Sequence, residues 1–186
     1  MPDKHRKQGI KTIKGVISTI SKGAGFIEDA DPNKASIYIE PGFLNTALNG
    51  DTVEVALKEV SSRGKKEVQG EVIRIITRAK TAYVGVVVFG DSPKSCKADS
   101  GCQIVPDDKK MYVRIDLSAN DAKGLKSDDK AYVKLLPWTD PKKNPQGKVL
   151  KLLGKKGNND VEMESIVLDK GFAIGFSPEV EAEDTN

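Results

Sequence analysis

Apolar and polar residues alternate with a period of two along most of the chain, the spacing of strands that bury one face. Gly15–Ile20 predicts a first strand and Lys22–Glu28 a second, separated by turn formers at 29–34 from a third at Ser36–Glu40. Pro41–Leu48 fits a short helical or irregular connection, and Asn49-Gly50-Asp51 a tight turn. Thr52–Leu57 then alternates as a fourth strand. A polar, Lys-rich turn at Ser61–Lys66 leads to a fifth, Val68–Ile76. Five short strands with a connector before the fourth predict a small OB-type barrel.

The pattern then repeats. Gln69-Gly70-Glu71-Val72-Ile73-Arg74-Ile75-Ile76 matches Gln146-Gly147-Lys148-Val149-Leu150-Lys151-Leu152-Leu153, 77 residues later. Ala47–Asp51 matches Gly124–Asp128 at the same offset, and Gly15-Val16-Ile17 matches Gly85-Val86-Val87 at an offset of 70. Two copies of one barrel in tandem follow. The predicted class is all-β: a basic arm at 1–13, barrels at 14–78 and 79–154, and a short helical extension within 155–186. The helix is expected at Val161–Leu168, closed by Lys170-Gly171.

Parity also divides the faces. Ile27, Ile37 and Ile39 claim the inward side, which leaves Lys22, Ala24, Phe26, Tyr38 and Glu40 outward. A lysine beside two outward aromatics on adjacent strands has the make-up of a surface that stacks single-stranded nucleic acid. In the second barrel Met111, Val113, Ile115 and Leu117 take the inward parity, so Tyr112, Arg114 and Asp116 form a weaker outward patch.

Net charge is only +3, although Lys and Arg total 30, so nucleic-acid affinity needs the bases gathered on particular faces. No apolar run approaches the length of a membrane span. The polar start has no secretory h-region, so a cytoplasmic protein without membrane contact is expected. Cys96 and Cys102, with His5 far away, do not make a zinc site, and neither is a credible nucleophile. The paired acids Asp107-Asp108 and Asp128-Asp129 sit at turns beside lysines and read as turn residues, not a two-metal centre.

Taken in order, several segments resemble the N-terminal part of the RNB exoribonucleases, the ribonuclease R and ribonuclease II family. They are Gly15-Val16, Lys22–Ile27, Ile37-Tyr38-Ile39, Ala47–Val53, Gly70-Glu71-Val72 with Arg78, and Tyr83–Val86. Val105–Asp108, Gly147–Val149, Leu153-Gly154 and Phe176–Val180 continue the match. The resemblance implies tandem cold-shock domains that admit single-stranded RNA to a magnesium-dependent 3′-to-5′ hydrolase. It implies no cofactor or catalytic residue in this chain, which is expected to bind and not cut. Magnesium would belong to the family's catalytic domain, which Phe172, Phe176 and Val180 would contact. Expected RNA contacts are Lys22, Phe26, Tyr38 and Phe43, with Lys14, Lys34, Arg74 and Arg78 as phosphate partners, and Tyr112 and Arg114 in the second barrel. Ala24 and Glu40 depart from the cold-shock pattern of an aromatic and a His or neutral residue, which predicts weak binding by a monomer. A free-standing two-barrel RNA chaperone and an OB-type protein-docking module are the alternatives.

Overall fold

The computed structural model describes residues 11–28, 36–62, 65–90 and 101–171. It forms two closed five-stranded barrels. The first comprises β1 (Thr12–Thr19), β2 (Gly25–Ile27), β3 (Ile37–Ile39), β4 (Thr52–Ser62) and β5 (Lys65–Thr77), with a single 3-10 turn at Pro41–Phe43. The second comprises β6 (Ala82–Phe89), β7 (Cys102–Pro106), β8 (Ile115–Leu117), β9 (Asp129–Leu135) and β10 (Gln146–Lys155), followed by helix α1 (Asn159–Asp169). Each barrel is antiparallel except where its third strand runs parallel to its fifth: Tyr38 lies opposite Gln69, and Asp116 opposite Gln146. The all-β, two-barrel expectation is borne out.

The repeat has a packing cause. A Cβ built on Gly70 would lie 2.8 Å from Val55 and 3.0 Å from Ile39, and one on Gly147 would lie 2.5 Å from Val133 and 2.6 Å from Ile115. Both barrels therefore need glycine where the fifth strand passes over the core. Around the first core, Ile17, Ile27, Ile39, Val53, Val55 and Val72 are buried from the strands, and Leu44 joins them from the connection after the third strand.

The turn before the fourth strand recurs as well, one residue out of the expected register. Gly50 and Asp128 both have positive φ, and their N–H groups donate to Ile17 O and Val87 O. Asp51 then accepts from Leu48 N at 2.8 Å, as Asp129 does from Lys126 N at 2.8 Å. Asp51 thus corresponds to Asp129, not to Asp128.

Several boundaries move. Lys11–Ile13, expected in the arm, join the barrel: Thr12 and Ile13 pair with Ala56 and Val55, and Lys11 O accepts from Leu57 N. The second strand begins only at Gly25, because residues 20–24 turn around Gly23 at φ 77°. The reversal breaks the parity and buries Ala24, which was expected to face outward. The long hairpin carries β4 to Ser62 and β5 back from Lys65, through most of the expected Ser61–Lys66 turn. The helix starts two residues earlier than expected because Asn158 caps it, its Oδ1 accepting from Asp160 N.

The chain divides into two compact units that do not follow the barrel order. The first holds everything up to Thr81 together with Lys109–Arg114 and Pro137–Pro145; the second holds Ala82–Asp108, Ile115–Leu136 and Gln146 onward. Helix α1 packs on β6, β9 and β10 within the second unit, so it is part of that body and not a linker. Among the described residues no helix is long and apolar enough to cross a membrane.

Candidate nucleic-acid interface

The β2–β3 ladder sets Phe26 directly opposite Tyr38, flanked by the Gly25–Ile39 and Ile27–Ile37 pairs. With those isoleucines in the core, both rings stand on the outer face, Phe26 36% and Tyr38 39% exposed. Their centroids are 5.3 Å apart and the planes tilt by 51°, so each ring holds the other and keeps a face open. Phe26 also forms part of the wall of an open groove of about 730 Å3 with Val16, Ser18, Glu28, Asn49 and Lys110. Val16 is 61% exposed there, an apolar floor beside an aromatic wall. Asn49 is fixed by the bond its Oδ1 accepts from Thr19 N. Such a groove has the size and mixed lining of a nucleotide-sized ligand site.

Residues 15–75 match the Ribonuclease B OB domain profile, and residues 104–177 match the cold shock domain profile. The chain carries the tandem OB and cold shock domains of the ribonuclease R kind. Ribonuclease R of Thermotoga maritima is 25% identical over 166 residues, which are 89% of this chain and 22% of that protein. The chain thus spans about a fifth of that relative's length. Mycoplasma genitalium RNase R, solved in complex with ribose methylated single-stranded RNA, superposes with a TM-score of 0.72 at 23% identity, covering 91% of this chain and 26% of that one. Yeast Ssd1, a pseudonuclease, superposes at 0.68 and 19% identity, covering 87% and 25%. These two likenesses establish the fold.

Within the OB domain the expected contacts separate into groups. Phe26 and Tyr38 come together, and Lys22 and Lys14 are exposed. Lys14 lies opposite Glu54, which lies opposite Arg74, and Arg74 Nε and Nη2 both donate to Glu54 Oε2. Within that row across β1, β4 and β5 the Glu54 carboxylate neutralises Arg74, which blunts Arg74 as a phosphate partner. Phe43 is half-buried against the core with Lys58 Nζ 5.7 Å from its ring centroid, and Lys58 is ion-paired to Glu71. Arg114 is exposed. Lys34, Phe172, Phe176 and Val180 lie outside the described residues.

Two expectations are corrected. Arg78 is not a surface phosphate partner. Its guanidinium donates to Asp51 Oδ2 at 2.6 Å and to Thr46 O at 2.9 Å. Tyr112 is not an outward platform of the second barrel. It packs against the first core and its hydroxyl donates to Ala47 O at 2.8 Å, in the segment that clusters with the OB domain. Burial pushes its phenol up to about 12. Alternation missed Val16, Asn49 and Lys110, because Asn49 reads as a turn residue and Lys110 reaches the groove from far along the chain.

Proposed function

We propose that the OB domain binds single-stranded RNA on the Phe26–Tyr38 platform and the adjoining groove. The chain would then serve a 3′-to-5′ exoribonuclease of the ribonuclease R kind as the segment that guides RNA toward its catalytic domain. The observation that carries the reading is the cross-strand aromatic pair, held open on the outer face of a barrel whose flanking inward positions on the same two strands are Ile27, Ile37 and Ile39. The solved relative in complex with single-stranded RNA supports it. Magnesium is assigned on this reading to the catalytic domain; among the described residues no group of three His, Cys, Asp or Glu could hold a metal ion. Asp107 is engaged by Lys130, and Asp129 by Lys126 N and Lys155. On this reading the chain binds RNA and leaves cutting to the catalytic domain.

The test is fluorescence anisotropy with a labelled single-stranded RNA at two salt concentrations, against a duplex of the same length. A stacked base contributes about 1–3 kcal/mol, so Phe26→Ala/Tyr38→Ala is expected to weaken binding by tenfold or more. Affinity should also fall as salt rises. Equal affinity of the double variant, with a lower melting temperature, would make the pair a packing feature.

A further inference from the structure

Between β9 and β10 the chain runs Pro137-Trp138-Thr139-Asp140-Pro141-Lys142-Lys143-Asn144-Pro145, and this segment clusters with the OB domain unit. It holds the chain's one tryptophan. The indole Nε1 donates to two backbone oxygens, Asp140 O at 2.9 Å and Lys143 O at 2.8 Å. Asp140 organises the same turn: its Oδ1 accepts from Lys142 N at 3.0 Å, and its backbone oxygen accepts from Lys143 N at 3.2 Å. Prolines at 137, 141 and 145 fix φ at both ends and the middle of the segment. At its base Leu136 N donates to Gln146 O at 2.8 Å. The loop is thus rigid, and the rigidity converges on the orientation of one ring.

That arrangement is costly to explain as packing alone. Trp138 is half-exposed, and its one polar atom is spent on holding the ring in place. Lys142 is exposed, and the Lys143 side chain is 81% exposed with its Nζ in a loose, solvent-screened ion pair 3.8 Å from Asp140 Oδ2, so both cations of the turn remain open to a phosphate. A ring whose rotation is already arrested stacks a base at little further entropic cost. Flanking lysines give the backbone its charge partners. Loops that join the fourth and fifth strands of OB barrels are one of the places where this architecture holds oligonucleotides.

We infer that Pro137–Pro145 is a second stacking site for single-stranded RNA, with Trp138 as its platform and Lys142 and Lys143 as its phosphate partners. This rests on the RNA-binding reading above, and the test separates the two. Trp138 reports on itself: its emission, excited at the red edge where tyrosine is silent, is followed while unlabelled single-stranded RNA is titrated into the full chain. Anisotropy with labelled RNA is followed in parallel. The expected result is saturable quenching with the midpoint of the anisotropy curve, and about tenfold weaker binding with a shallower salt dependence in Lys142→Ala/Lys143→Ala. Trp138→Phe should bind nearly as the parent does, because it keeps a stacking face. Binding by anisotropy with unchanged Trp138 emission and an unaffected double-lysine variant would overturn the inference while leaving the Phe26–Tyr38 reading intact. Absence of binding in both measurements would overturn both.

Discussion

Asp51 offers the sharpest test of how the first barrel is closed. Its side chain is fully buried and accepts three hydrogen bonds: from Leu48 N at 2.8 Å, Ala79 N at 2.9 Å and Arg78 Nη1 at 2.6 Å. Burial pushes its carboxyl above the ordinary 3.8, against the opposing pull of those two amides and the guanidinium. Asp51→Ala strands both backbone donors, at about 1–3 kcal/mol each, and leaves Arg78 with only Thr46 O. The expected loss is about 3–5 kcal/mol, the range for breaking a buried ion pair by removing one partner. Asp129 is the internal control. It caps the corresponding turn at Lys126 N, but its cation, Lys155, is 60% exposed and 3.4 Å away. Asp129→Ala should cost about 1–2 kcal/mol, roughly one stranded donor. Urea unfolding monitored by residue-resolved hydrogen exchange would assign each loss to its own barrel. A loss under about 1 kcal/mol for Asp51→Ala, or equal losses for the two variants, would refute the reasoning.

Three further outcomes follow from the same geometry. Tyr112→Phe removes the bond to Ala47 O and should cost about 1 kcal/mol; in the parent, spectroscopic titration should show one tyrosine ionising near 12. Gly147→Ala must push Val133 and Ile115 aside and should lower stability by about 1–3 kcal/mol, read as an earlier denaturation midpoint. Lys130 Nζ is buried between Asp107 at 2.8 Å and Glu162 at 2.5 Å, and its hydrogen bond, with that from Gly157 N, holds Glu162 below its usual 4.5. A carboxyl lowered by folding stabilises above its unfolded pKa, so protection of α1 amides should be full above about pH 4.5 and fall as pH drops through the lowered value. Burial pushes Lys130 down, but its two carboxylate partners outweigh that and raise it above 10.5, so the alkaline loss begins only above that pH. Glu162→Gln should flatten the acid limb; an unchanged profile would show that the pair does not hold the helix.

What alternation made legible is what one strand decides by itself. Ile37-Tyr38-Ile39 carries its own inside and outside, and Phe26 follows because Ile27 beside it is aliphatic. The reading fails where geometry depends on another part of the chain. Ala24 keeps strand parity on paper, but Gly23 reverses the backbone ahead of it. Arg78 looks like a surface cation until a buried carboxylate, 27 positions back, claims it. Tyr112 continues the alternation of the strand that follows it, yet its hydroxyl is bound 65 positions away. The repeat located both barrels but matched Asp51 to Asp128, because like letters aligned where backbone sign and hydrogen bonding pair it with Asp129.

The Lys109–Arg114 segment has a consequence for the order in which the chain matures. The first barrel's strands leave the ribosome before Tyr112 does, so the carbonyl of Ala47 and the space beside Gly23 must wait for a residue made during synthesis of the second barrel. A nascent chain paused between the two barrels would present an early domain that is knitted but not sealed. Completion of the first body is thereby tied to translation of the second, and a cut at the apparent border between them would separate a lock from its key.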